Sequence, residues 1–152
     1  MDSYDDTMRH IERVMGILSD LANTLRSRGA EHDLSKLEEP EKSAFDEFTP
    51  KLRGSTYGSP EYKEFLAAMK PALDHHYEAN RHHPEHFSAG IYGMTLIDLV
   101  ELLADWKAAG ERHADGSIER SIEINAKRFK IGEQLKAILL NTARDLWPRK
   151  EG

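Results

Sequence analysis

Residues Asp6–Arg28 read DTMRHIERVMGILSDLANTLRSR, and this stretch decides the fold class. Ile11, Val14, Ile17, Leu18, Leu21 and Leu25 recur at three- and four-residue steps, the spacing that gathers side chains on one face of an α-helix. His10, Val14, Ile17 and Leu21 fall on one line of that helix, which predicts a core-facing stripe with a histidine on its buried side. Gly29 follows, where a C-cap glycine would end the helix.

The same period dominates the rest of the chain, and β-branched alternation never runs over several residues. Glu31–Lys36 reads as a bend or short helix, and Pro40 opens a short helix to about Phe48. Lys51–Ser59 (KLRGSTYGS) is a polar, glycine-bearing loop. Ser59-Pro60-Glu61 combines a serine cap with a first-turn proline, and starts a helix carrying Tyr62, Phe65, Leu66, Met69 and Leu73 on one face. Pro71 is placed to kink that helix. A histidine-rich connection, Asn80–Phe87, leads to a long helix near Thr95–Arg112. Asp115-Gly116-Ser117 is a turn and cap before helices near Ile118–Phe129 and Gly132–Leu146, with Pro148 as the stop. The expectation is an all-α, compact globular bundle of five to six helices, forming one domain over residues 1–152.

The chain has 152 residues, 39% apolar and 32% charged, which is enough for one core under a hydrated surface. A net charge of -6 argues against non-specific duplex binding. Cysteine is absent, which removes disulfides, thiolate zinc sites and cysteine nucleophiles together. The polar, acidic start MDSYDDTMRH reads as no secretory signal, and no apolar run approaches membrane-spanning length. Walker-type, G-x-S-x-G and dinucleotide-binding glycine motifs are also missing.

Histidine is the unusual component. Eight are present, and five of them fall between His75 and His86. Packing does not need that density, so composition points to metal or proton chemistry. The neighbouring side chains of His32 and Asp33 can reach one divalent ion if the backbone bends between them, and imidazole with carboxylate suits Mn, Fe, Co, Ni or Zn. His10 strengthens that reading. Asp98, Glu101 and Asp105 form an acidic stripe beside the apolar face of the Thr95–Arg112 helix; spacing alone fits a solvated face and a ligand with its supporting shell equally. His76 continues the Tyr62/Phe65/Met69/Leu73 face and points inward, with His75 to the side. The block His82-His83-Pro84-Glu85-His86 offers further ligands, phosphate donors or a proton donor. Lys36, Lys51 and Arg53 are the nearest cations in sequence for a phosphate, Lys36 being favoured by its position three residues after Asp33.

The order His10, His32-Asp33 and a late helical aspartate resembles the H…HD…D signature of the HD phosphohydrolase superfamily. The strings EHDLSK, YGSPEY, HHYEANRHHPEHF and MTLIDLVELLADWKAA are similar to an HD-like family found in phages and bacteria. The resemblance implies His10, His32, Asp33 and Asp105 as metal ligands, with Asp98 the alternative for the last. It implies a divalent metal (Mn, Co, Fe, Zn, Ni or Mg), one ion or two. The implied activity is hydrolysis of a nucleoside mono- or triphosphate by a metal-activated water.

In that scheme Asp33, Lys36, His76 and Glu101 serve the reaction. Lys36, Arg53, His75, His76 and His83 steady the phosphate, and Tyr57 or Tyr62 stacks on the base. A phosphodiesterase for a cyclic or signalling nucleotide is the enzymatic alternative. A non-catalytic phage protein that binds a nucleotide or inhibits a host factor is the other. The expected partner is a small phosphorylated molecule, with no membrane and no duplex nucleic acid, and a homo-oligomer is left open. The expected location is the cytoplasm, that of the host if the chain is phage-encoded.

Overall fold

The computed structural model describes residues 3–56, 59–112 and 116–148. Seven α-helices and three short 3-10 turns make up the regular structure, and no strand occurs among the described residues. None of the helices is long and apolar enough to cross a membrane. The chain divides into two units, residues 1–32 and 33–152.

The first unit is one helix, α1 (Ser3–Glu31). It continues through Gly29, contrary to the sequence expectation. The left-handed residue that follows its end is Asp33, with φ 59° and ψ 14°. Aspartate tolerates this region better than most residues, so no glycine is required there. The apolar residues Ile11, Val14, Ile17, Leu18, Leu21 and Leu25 of α1 share one long helix, as the spacing predicts.

The second unit holds α2 (Glu41–Gly54), α3 (Pro60–Ala68), α4 (Lys70–Ala79), α5 (Leu96–Gly110), α6 (Ile118–Arg128) and α7 (Glu133–Leu146). Helix α2 runs past Phe48 and through Pro50, so the polar loop is shorter than expected. The single kinked helix expected after Ser59 is two helices. Pro71 sits in the first turn of α4 and has no N–H for the Ala67 carbonyl, so the ladder breaks at Met69. The Ser59 cap forms, its Oγ accepting from the Tyr62 N–H at 3.1 Å.

Helix α5 organises this unit. On one side Leu102, Leu103 and Trp106 pack with Ile122 and Ala126 of α6, Ile131, and Leu139 and Ala143 of α7. The Trp106 and Phe129 rings are nearly parallel, with centroids 6.4 Å apart. On the other side Asp98 and Glu101 are buried, so this part of the acidic stripe is not a solvated face. Asp98 closes a capping box: its N–H donates to Thr95 Oγ1, and its Oδ2 accepts from the Thr95 N–H at 2.8 Å. The same carboxylate receives the Arg81 guanidinium at 3.2 and 3.3 Å, which pins the histidine-rich connection to the start of α5. Gly93 closes that connection against Phe87, where an added Cβ would lie 2.7 Å from the Phe87 Cβ.

Ile122 is fully buried at the centre of the α5–α6–α7 core. Replacing it with alanine is expected to lower unfolding stability by about 2–5 kcal/mol. Urea denaturation measures this, and a loss under about 1 kcal/mol would place the core elsewhere.

Candidate metal centre

The site is built within the second unit around Asp33. Its left-handed backbone starts the 3-10 turn Leu34–Leu37 and lets the Lys36 N–H donate to the Asp33 carbonyl at 3.0 Å. The Lys36 ammonium lies 2.6 Å from Asp33 Oδ2. The other oxygen, Oδ1, is thereby turned toward two imidazoles, with His76 Nε2 at 3.3 Å and His82 Nε2 at 3.5 Å. His83 Nε2 is 2.9 Å from His76 Nε2. One ligand atom from each of Asp33, His76, His82 and His83 lies within 4.8 Å of the others.

Two buried carboxylates orient the rings from behind. Glu41, in the first turn of α2, is fully buried and accepts from His76 Nδ1–H at 2.8 Å. Glu101 on α5 stands 3.2 Å from His82 Nδ1. With Nδ1 carrying the proton, each ring presents the lone pair of Nε2 toward Asp33. Three imidazole nitrogens converging on a carboxylate oxygen repel one another unless protons or a cation lie among them. The donor set fits a borderline transition metal such as Zn, Co, Ni, Fe or Mn better than an all-oxygen Mg or Ca site.

Glu41 also accepts from Ser35 Oγ–H at 2.9 Å and from His75 Nδ1–H at 2.7 Å. Desolvation alone would push its pKa up. The hydrogen bonds from His75, Ser35 and His76, with the electrostatic pull of the His76 ring, outweigh that and hold it below the usual 4.5. Asn80 Nδ2 donates to Ser35 Oγ at 2.8 Å and to the His76 carbonyl at 2.8 Å, joining the last turn of α4 to the 3-10 turn. His83 is pushed down from 6.5 to about 3, first by burial and then by the neighbouring His82 and His76; the Asp105 and Asp33 carboxylates oppose this. It is therefore a neutral donor at physiological pH.

Of the other residues singled out in the sequence, Asp105 is half-buried on α5. His75 is 46% exposed at the outer side of Glu41. His86 Nδ1 donates to the Tyr77 carbonyl at 3.0 Å. Arg53 is exposed in the last turn of α2, and Tyr62 lies in the first turn of α3. Tyr57 lies outside the described residues. His10 and His32 belong to the first unit.

Two residues at the centre escaped sequence reasoning. His82 was grouped with its neighbours without a specific role, although the i, i+6 and i, i+7 steps from His76 are the available signal. Glu41 carries no signal of its own, because nothing in the sequence separates it from an ordinary first-turn acid.

The chain belongs to a family of unknown function, DUF5662, whose model matches residues 1–145. No curated protein and no solved structure matches it.

Two measurements follow from this geometry. In metal-free protein a neutral His83 contributes stability that is full above about pH 6.5 and is lost as pH falls toward 3, because the unfolded chain binds that proton more readily. The urea midpoint is expected to fall between pH 7 and 5, and less steeply in His83→Gln; equal slopes would remove His83 as the cause. Asp98→Ala is expected to cost about 1–3 kcal/mol through loss of the cap and the Arg81 pair, and to weaken metal binding by loosening the His82-His83 segment. An unchanged urea midpoint would show that neither contact holds the start of α5.

Proposed function

We propose that this chain is a metal-dependent phosphohydrolase that acts on a nucleotide, a nucleoside mono- or triphosphate. The observation that carries the reading is the convergence of one ligand atom each from Asp33, His76, His82 and His83, with buried carboxylates behind His76 and His82. The resemblance to the HD superfamily supplies the reaction class, and His10, His32 and Asp105 as ligands rest on that resemblance.

A divalent ion held by Asp33, His76, His82 and His83 would supply Lewis acidity toward a phosphoryl oxygen and acidify a water. The protein's own contributions are positional. Glu41 and Glu101 keep the Nδ1 protons on His76 and His82 and so hold the Nε2 lone pairs inward. Lys36 fixes the rotation of the Asp33 carboxylate and leaves positive charge at the edge of the site, where a phosphate oxygen would be attracted. His75, half-exposed with Glu41 behind it, can pass a proton between solvent and the rim.

The test is metal analysis of the purified protein, followed by hydrolysis assays on nucleoside mono-, di- and triphosphates and cyclic nucleotides with Mn, Co, Zn and Mg. Asp33→Ala is expected to stay helical, lose bound metal and lose turnover at least 100-fold. Glu41→Gln is expected to weaken metal binding by about 10–100-fold. Metal-loaded protein that turns over none of the panel would sink the hydrolase and leave a nucleotide-binding module. Turnover confined to cyclic nucleotides would move the reading to a phosphodiesterase.

A further inference from the structure

Asn80 ends α4 with an extended backbone, φ -118° and ψ 107°, and lies in sequence between His76 and the His82-His83 pair. Its N–H donates to the His76 carbonyl at 3.0 Å, and its own carbonyl accepts from the His83 N–H at 3.3 Å. The side chain adds a second set of contacts. The amide atom 2.8 Å from the His76 carbonyl oxygen must be the nitrogen, because two oxygens would repel at that distance. The same nitrogen is 2.8 Å from Ser35 Oγ and 3.1 Å from His76 Nδ1. An amide nitrogen carries two protons, so the two nearer oxygens take both and His76 Nδ1 receives neither.

We propose that Asn80 is a positioning residue of the metal centre, acting through Ser35 and Glu41 to hold the His76 proton on Nδ1. Because Asn80 donates to Ser35 Oγ, the hydroxyl proton points elsewhere. The acceptors in its reach are Glu41 Oε2 at 2.9 Å and His76 Nδ1 at 3.4 Å. The carboxylate is nearer and charged, so it takes the proton. Glu41 stays an ionised acceptor 2.8 Å from His76 Nδ1, a contact that is favourable only with a proton on the nitrogen. Nε2 keeps its lone pair, beside Asp33 and His83. This role rests on the reading that Asp33, His76, His82 and His83 hold an ion.

Asparagine suits the position in a way its isostere does not. An aspartate at 80 has the same shape and no proton to give. It would meet the His76 carbonyl with like charge and accept from Ser35, so Glu41 would lose one of its three donors. Removing the Ser35 hydroxyl breaks the same chain at its middle and leaves the backbone contacts of Asn80 in place. A threonine at 35 keeps the hydroxyl.

The test is the tautomer of His76 in metal-free protein at pH 8, read from long-range proton–nitrogen correlations and assigned by its loss in His76→Gln. Zinc affinity is measured alongside. The wild type is expected to carry the proton on Nδ1. Asn80→Asp and Ser35→Ala are each expected to shift it toward Nε2 and to weaken zinc binding about 10-fold, and Ser35→Thr to retain wild-type behaviour in both. A residue that only ends a helix would lower stability and leave the tautomer alone. An unmoved tautomer in Ser35→Ala therefore overturns the proposal, even where Asn80→Asp does not fold. So does a wild type with the proton on Nε2. A wild type that takes up no zinc, while its tautomer responds to both variants, supports the hydrogen-bond chain and sinks the metal reading.

Discussion

The second unit depends on one buried carboxylate. Glu41 is removed from water, and an ionised group placed there is tolerable only because three donors reach it. Those donors come from different elements: Ser35 from the 3-10 turn, and His75 and His76 from α4, while Glu41 itself opens α2. The requirement to satisfy one charge therefore fixes how three segments meet. It also fixes which nitrogen of His76 bears the proton, and so which one faces Asp33. A structural constraint and a chemical one are met by the same hydrogen bonds.

Helix α5 carries that arrangement over to the core. Its apolar side is locked by Leu102, Leu103 and Trp106. Its polar side is therefore not free to rotate, and Glu101 is held where it meets His82. Asp98, one turn earlier, spends its oxygens on the helix cap and on Arg81. Because Arg81 directly precedes His82 and His83, that ion pair holds the two rings in place through the backbone. The acidic stripe thus divides by position, Asp98 anchoring the loop and Glu101 orienting a ring.

The helical class was legible because a 3.6-residue period leaves few alternatives, and the inward direction of His76 followed from the same geometry. Asp33 was legible through its neighbour His32 and the bend expected there. What sequence could not supply was the partner of each ring. Glu41 is 35 residues from His76, and a first-turn glutamate reads identically whether it caps a dipole in solvent or sits under a histidine. The α3–α4 break was half legible, since proline predicts disruption without saying whether the helix bends or ends.

The electrostatics of the cluster argue that it is organised for a cation and not for protons. Burial and the adjacent imidazoles keep His83 unprotonated down to about pH 3, so protons compete poorly for its nitrogen over the whole physiological range. Glu41 stays ionised for the opposite reason, because hydrogen-bond donors surround it. The centre therefore sets a neutral His83 at the front against fixed negative charge behind, with Lys36 offsetting part of the charge on Asp33. A ring backed by a carboxylate, as His76 and His82 are, is a better ligand than a free imidazole, and a positive ion placed among these nitrogens would gain from the charges on Asp33, Glu41 and Glu101 at once. Protonating the same atoms would satisfy them singly and set like charges within about 5 Å of each other, which costs several times more than it would in water.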